Sequence, residues 1–223
     1  MNGTLSRINI SIFGLFLGAI SLWIVVPELF SSNITTLPAS PEEAAAAASR
    51  RGEALWAARA ALVRGDLWAE SAFTYANLEW AGSTQGDEQS LDQATASAIK
   101  AVSLKPGTSA VWLMLAHLSS RYRWQAPSAT ECLKMSYYTG PHEDRLIPLR
   151  LMIAARLDLN ADPDVADLFR RELETAIMDR TALRPAVVAA YQQATPQAQH
   201  MIEEVATRAD QAFSQSLRPE IRH

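Results

Sequence analysis

The chain has 223 residues, a formal net charge of −4, 48% hydrophobic and 20% charged residues, and one cysteine. That length suits one domain, or one domain with an anchor, and the composition excludes wholesale disorder. The weak acidity argues against a nucleic-acid partner, and a lone cysteine excludes a disulfide framework and any paired-cysteine zinc site.

From Ile8 to Val26 the sequence reads INISIFGLFLGAISLWIVV, 19 residues without a charge. About 20 apolar residues cross a bilayer core of ~30 Å, so a transmembrane helix is expected here. Arg7 and the N-terminal amine precede it and Glu28 follows, which places the N-terminus in the cytoplasm and the rest outside. A cleaved signal peptide and a buried core helix are the alternatives. The stretch is longer than a signal h-region and no A-x-A-like site follows it. Trp23 stands near the outer end, where interfacial aromatics collect. Gly14 and Gly18 form a GxxxG, a spacing that lets two membrane helices approach closely and that is also common in membrane helices generally.

Ser31 to Ser40, SSNITTLPAS, reads as a polar linker. Its Asn33-Ile34-Thr35 sequon is expected to be a chance match, because Arg outnumbers Lys 17 to 3 in an alanine-rich, bacterial-looking chain. Ser40-Pro41-Glu42-Glu43 predicts a capped helix start. A helix is expected over Ala44–Val63, broken at Gly65-Asp66, and a second over Asp66–Ala81. Gly82–Gly86 reads as a loop. Ser90-Leu91-Asp92-Gln93 and Ser128-Ala129-Thr130-Glu131 read as further capping boxes. The first opens a helix ending at Lys105-Pro106-Gly107, and the second one ending at Thr139-Gly140-Pro141. Between them a helix is predicted over Ser109–Arg121. Later helices are predicted over 143–157, 163–178, 182–194 and 196–217, two of them opened by Asp162-Pro163 and Thr195-Pro196. No alternating run of five or more residues suggests a strand. The fold class predicted is all-α: one N-terminal transmembrane helix (1–30), a linker (31–40) and antiparallel helical hairpins (41–223).

Ala94, Ala98, Ala101 and Pro106, then Trp112, Leu115 and Ala116, then Ala129, Leu133, Ser136 and Pro141, recur with a 35-residue spacing between the prolines. Over Leu91–Arg156 this resembles the tetratricopeptide repeat, whose period is 34 residues. The resemblance implies a degenerate array of two to four hairpins. An ordinary helical bundle is the alternative. The pattern is departed from at Ser119, where a tyrosine is usual, and at Arg150 and Pro148.

The resemblance implies that partners bind the concave surface. It places Leu113, His117, Ser120 and Arg121 there from the first repeat, and Arg145, Met152 and Arg156 from the second. Guanidinium groups hold carboxylates bidentately, so an acidic group is the ligand this surface could hold; pairing of the arginines with internal Glu and Asp is the alternative. The lysine–asparagine clamp of chaperone-binding members is absent. Arg123 and Trp124, in the Arg121-Tyr122-Arg123-Trp124 link, add residue types favoured at interfaces; core packing is the competing role. Trp56, Trp68 and Trp80 are expected to pack the first hairpin.

No P-loop, nucleophile elbow or HExxH occurs. His200 with Glu203 and Glu204, and His223 with Glu220, have helix-face spacing but read as solvated pairs. Cys132 reads as a small buried residue. No enzyme activity, cofactor or metal is expected. The chain reads as a membrane-anchored scaffold of the bacterial envelope binding other envelope proteins. It bears a resemblance to accessory proteins of cell-surface polysaccharide assembly and export loci. The alternative is an accessory subunit of a larger inner-membrane complex, with no ligand of its own.

Overall fold

The computed structural model describes residues 2–31, 34, 41–80, 88–122 and 127–217, with the backbone alone at 2–10, 41, 78–80 and 121–122. Every regular element among them is helical. The chain divides into two compact units, Met1–Pro106 and Gly107–His223.

The first unit holds α1 (Asn2–Leu29), α2 (Pro41–Ser49), α3 (Arg51–Ala61), α4 (Gly65–Trp80) and α5 (Glu88–Leu104). Its core combines Leu67, Phe73 and Leu91 with many small side chains. Ala54, Ala57, Ala58 and Ala61 of α3, Ala72 and Ala76 of α4, and Ala94, Ala98 and Ala101 of α5 are all buried. Small residues let helix axes approach, and a serine pair ties the α4–α5 hairpin: Ser71 Oγ lies 3.1 Å from Ser97 Oγ. Gly65 sits where this approach is tightest. A Cβ there would come within 2.9 Å of Lys105 Cβ.

The helix expected over Ala44–Val63 is two helices. The break falls at Arg50, whose Nη2 donates to the Ser31 carbonyl at 3.3 Å. The expected capping box at Ser90 is not a cap. α5 begins at Glu88, and Ser90 is a buried residue of its first turn. Ser31, expected to open a free linker, is buried, with its hydroxyl on both carboxylate oxygens of Glu70 at 2.8 Å. The rest of that linker except residue 34, the capping serine Ser40 and the Gly82–Gly86 loop lie outside the described residues.

The Ser11–Leu29 part of α1 is 19 residues long and only 6% buried. It is the one described helix long and apolar enough to cross a membrane.

The second unit holds α6 (Ser109–Tyr122), α7 (Ala129–Thr139), α8 (Ile147–Ala154), α9 (Pro163–Glu174), α10 (Arg184–Gln192), α11 (Pro196–Ala209) and α12 (Gln211–Leu217). α6 and α7 pair as a hairpin. Ser128 caps α7 with the full reciprocal box, its hydroxyl accepting from Glu131 N at 3.2 Å while the Glu131 carboxylate accepts from Ser128 N. Asp162 caps α9 and Thr195 caps α11, each followed by proline at the first helical position.

Beyond Pro141 the hairpin pattern stops. α8 packs chiefly on α10 and α9, and α9 on α11. The predicted helices here are also shorter. A 3-10 turn (Asp144–Leu146) precedes α8, a π turn (Thr175–Asp179) follows α9, and Asp210 separates α11 from α12. Arg184 explains the last two breaks together. Its guanidinium donates to the Ile177 carbonyl, pairs with Asp210 at 2.8 Å and lies 5.0 Å over the Phe213 ring.

Candidate functional site

The second unit contains a buried ionic network under an open cleft. α7 supplies Ser136 and Tyr137, α8 supplies Arg150, and α9 supplies Glu172. Arg150 is 0% exposed. Its Nε donates to Ser136 Oγ at 3.0 Å, and its Nη2 to the carbonyls of Ser136 at 2.5 Å and Gly140 at 2.9 Å. Those carbonyls belong to the C-terminal end of α7, which carries partial negative charge, and each also accepts from a backbone N–H, Ser136 from Gly140 N at 3.2 Å and Gly140 from Glu143 N at 3.3 Å. Arg150 therefore does the work of a helix cap. A Cβ on Gly140 would come within 2.6 Å of Ser109, so this end of α7 packs closely on the start of α6.

The remaining guanidinium nitrogen, Nη1, faces Glu172 Oε1 at 3.5 Å. Glu172, 8% exposed, accepts from the Tyr137 hydroxyl at 2.7 Å. The Arg150 guanidinium also lies 4.9 Å over the Tyr137 ring. Burial pushes the Glu172 carboxyl up to about 7, against the downward pull of the Tyr137 hydrogen bond and Arg150. Burial and the Glu172 charge push the Tyr137 phenol well above its ordinary range.

Above this network lies a cleft of about 330 Å³. Tyr137, Ile147, Leu168 and Glu172 line it, together with His142, Arg171, Thr175 and Arg180. Arg171 and His142 are exposed, and Arg180 pairs with Asp144. The π turn places Thr175 and Arg180 at the cleft and is closed by Arg180 N donating to the Thr175 carbonyl at 3.0 Å. Such turns are rare and cluster at functional sites. The site therefore joins cationic groups to an apolar wall and a carboxyl that titrates near neutrality. That set suits a small acidic group with an apolar body.

None of the described residues expected to bind a partner lines this cleft. Leu113 is fully enclosed and His117 is 6% exposed, so both belong to the core of the second unit rather than to an open concave surface. Ser120 is half-buried and turns its hydroxyl back onto the His117 carbonyl at 2.8 Å. Arg145 is exposed and pairs with Glu143 at 3.3 Å. Met152 is half-buried and Arg156 exposed. Arg123 and Trp124 lie outside the described residues, and so does the Arg121 side chain.

Trp56 is 48% exposed and stacks edge-on against Phe30, so it does not pack the first hairpin as expected. Trp68 packs beside Ala58, Ala61 and Leu67, and the Trp80 side chain is not among those described. His200, Glu203 and Glu204 share one face of α11, but Glu203 accepts from the Tyr191 hydroxyl at 2.6 Å and Glu204 from Arg208 at 2.7 Å. No cluster of three or more metal-ligating side chains occurs among the described residues. Glu220 and His223 fall outside them. Cys132 is buried, and burial pushes its thiol up to about 12.

Sequence reasoning met Arg150 only as a departure from the repeat pattern and passed over Glu172. The signal was present in IPLRLMIA, where one arginine interrupts an otherwise apolar helix. A charge inside an apolar run marks a buried, partnered group. Compared with family models, with curated proteins and with solved structures, the chain matches none.

Proposed function

We propose that this chain is a membrane-anchored helical interaction protein of the bacterial envelope. In this reading α1 is an uncleaved single span with its N-terminus in the cytoplasm, and both helical units lie on the outer side. The observation that carries the reading is the Ser11–Leu29 stretch, long, apolar and 6% buried, on a chain whose other described helices form compact units. Such a helix needs an apolar solvent, and the bilayer supplies one. The cleft over Tyr137 and Glu172, with Arg171 and His142 exposed beside it, is the proposed place for an acidic group of a partner. Proteins of cell-surface polysaccharide assembly or export are the proposed partner class.

Crosslinking in the native membrane, then purification in mild detergent and identification of what accompanies the chain, tests this reading. Recovery of polysaccharide synthesis or export proteins, lost on Arg171→Ala, is the expected result. Subunits of one larger complex at fixed stoichiometry, unaffected by Arg171→Ala, would make it an accessory subunit. Recovery of the chain alone would sink the interaction reading.

A further inference from the structure

Where α1 and α3 meet, they run antiparallel. The Ser31 carbonyl accepts from Arg50 at 3.3 Å. The Phe30 and Trp56 rings meet edge-on, with centroids 4.8 Å apart. The Trp23 indole N–H donates to the Ala60 carbonyl at 2.7 Å. Moving back along α1 from residue 31 to 23, the contacts move forward along α3 from residue 50 to 60. The C-terminal end of α3 therefore points along α1 toward its apolar stretch.

Depth follows from this pairing. Trp23 stands three residues before Val26, the end of the uncharged stretch. At 1.5 Å per residue that is about 4.5 Å inside it. Ala60 is held at Trp23, and the chain continues through Ala61, Leu62 and Val63 before Arg64 reaches Glu28 near the end of α1.

The turn made there differs from an ordinary water-facing turn. Gly, Asn, Asp and Ser dominate such turns, but this one presents Leu62 and Val63, 60% and 68% exposed. Leu62 is the one described non-glycine residue with positive φ (50°, with ψ −56°), and Val63 N donates to the Ala61 carbonyl at 2.5 Å. That is a γ-turn of the rare, strained kind. A strained backbone that exposes two apolar side chains implies a surrounding that favours them.

Backbone bonding agrees. Irregular backbone at membrane depth needs partners for its polar groups. The Ala60 carbonyl has the Trp23 indole, the Ala61 carbonyl has Val63 N, and the Leu62 carbonyl has the Trp68 indole at 3.2 Å. Two of the three donors are tryptophans, side chains with an apolar body and one polar handle that concentrate at membrane interfaces.

We propose that the Leu62–Val63 turn enters the same leaflet as the C-terminal part of α1 and gives the first unit a second contact with lipid. This rests on reading α1 as a membrane span. The occupant of the exposed patch is the bilayer itself, because the patch is continuous with the stretch that crosses it.

The test uses the full chain with single cysteines introduced by Val63→Cys, Leu15→Cys or Arg156→Cys, each carrying an environment-sensitive fluorophore. Native Cys132 is buried and its thiol is pushed up to about 12, so it stays unlabelled. The labelled proteins are reconstituted into phosphatidylcholine–phosphatidylglycerol vesicles and quenched either by aqueous iodide or by spin-labelled lipid. The expected result is blue-shifted emission at 63, quenched by lipid as at 15, while 156 is quenched by iodide alone. Iodide quenching at 63 with lipid quenching at 15 would overturn this proposal and leave the span standing. Iodide quenching at both would overturn the two together.

Discussion

At Arg150 a cation is buried deep in the second unit and answers to three groups at once. It satisfies the end of α7, faces Glu172 and covers Tyr137. Removing one partner of a buried pair costs about 3–5 kcal/mol, because it strands the other charge. Arg150→Leu should therefore destabilise the protein by about that much in urea unfolding. Adding Glu172→Gln should recover a measurable part of the loss, and strict additivity of the two would refute the coupling. Glu172 also gives stability a pH dependence. Its folded pKa, about 7, lies above the ordinary 4.5. The folded state holds the proton more tightly, so this contribution is complete below about 4.5 and disappears as pH rises through about 7. Wild type should lose about 3 kcal/mol more than Glu172→Gln over that window, read from unfolding midpoints at each pH. The network was only half legible in the sequence. Arg150 announced itself as a charge among apolar neighbours, but Glu172 lies 22 positions further on, in the ordinary charged run RRELE. Only tertiary packing brings it under the cleft.

Helix starts and helix stops stand differently to the sequence. Ser128, Asp162 and Thr195 cap their helices as the local pattern predicts, because a cap bonds backbone two or three residues away. Thr195→Ala should cost about 1 kcal/mol and lower the melting temperature of the second unit by about 4 °C, measured by circular dichroism at constant pH. The stops were less legible. Arg50 breaks a run of good helix formers while its guanidinium reaches the Ser31 carbonyl, and Arg184 draws in both Ile177, seven residues before it, and the distant Asp210. Ser90 looked like a cap, but Glu88 and Gln89 before it are good helix formers and carry the helix past it. α4 packs on α5 and α6 on α7, while Pro148 lies at the start of α8 and Arg150 is buried within it.

The whole chain consists of two compact bodies, one of which carries the apolar helix. The Arg150 network, the cleft and the Arg184 contacts all belong to Gly107–His223. Residues 107–223 expressed alone should therefore unfold cooperatively, with the same penalty for Arg150→Leu as in the full chain. A non-cooperative melt would show that the unit depends on residues 1–106. The long apolar helix was legible in the sequence, because 19 consecutive residues from Ile8 to Val26 carry no charge. The position of the α3–α4 turn along α1 was not legible, since it depends on which residue of α1 meets Ala60.

Arg150 and Glu172 have a consequence for how this chain changes over generations. Neither can be replaced alone without stranding a charge, and an apolar pair of similar volume would serve the fold as well. A descendant would pass from one state to the other only through a weakened intermediate. Positions 150 and 172 should therefore drift as a couple, both ionic or both apolar, even where the surface around them varies freely.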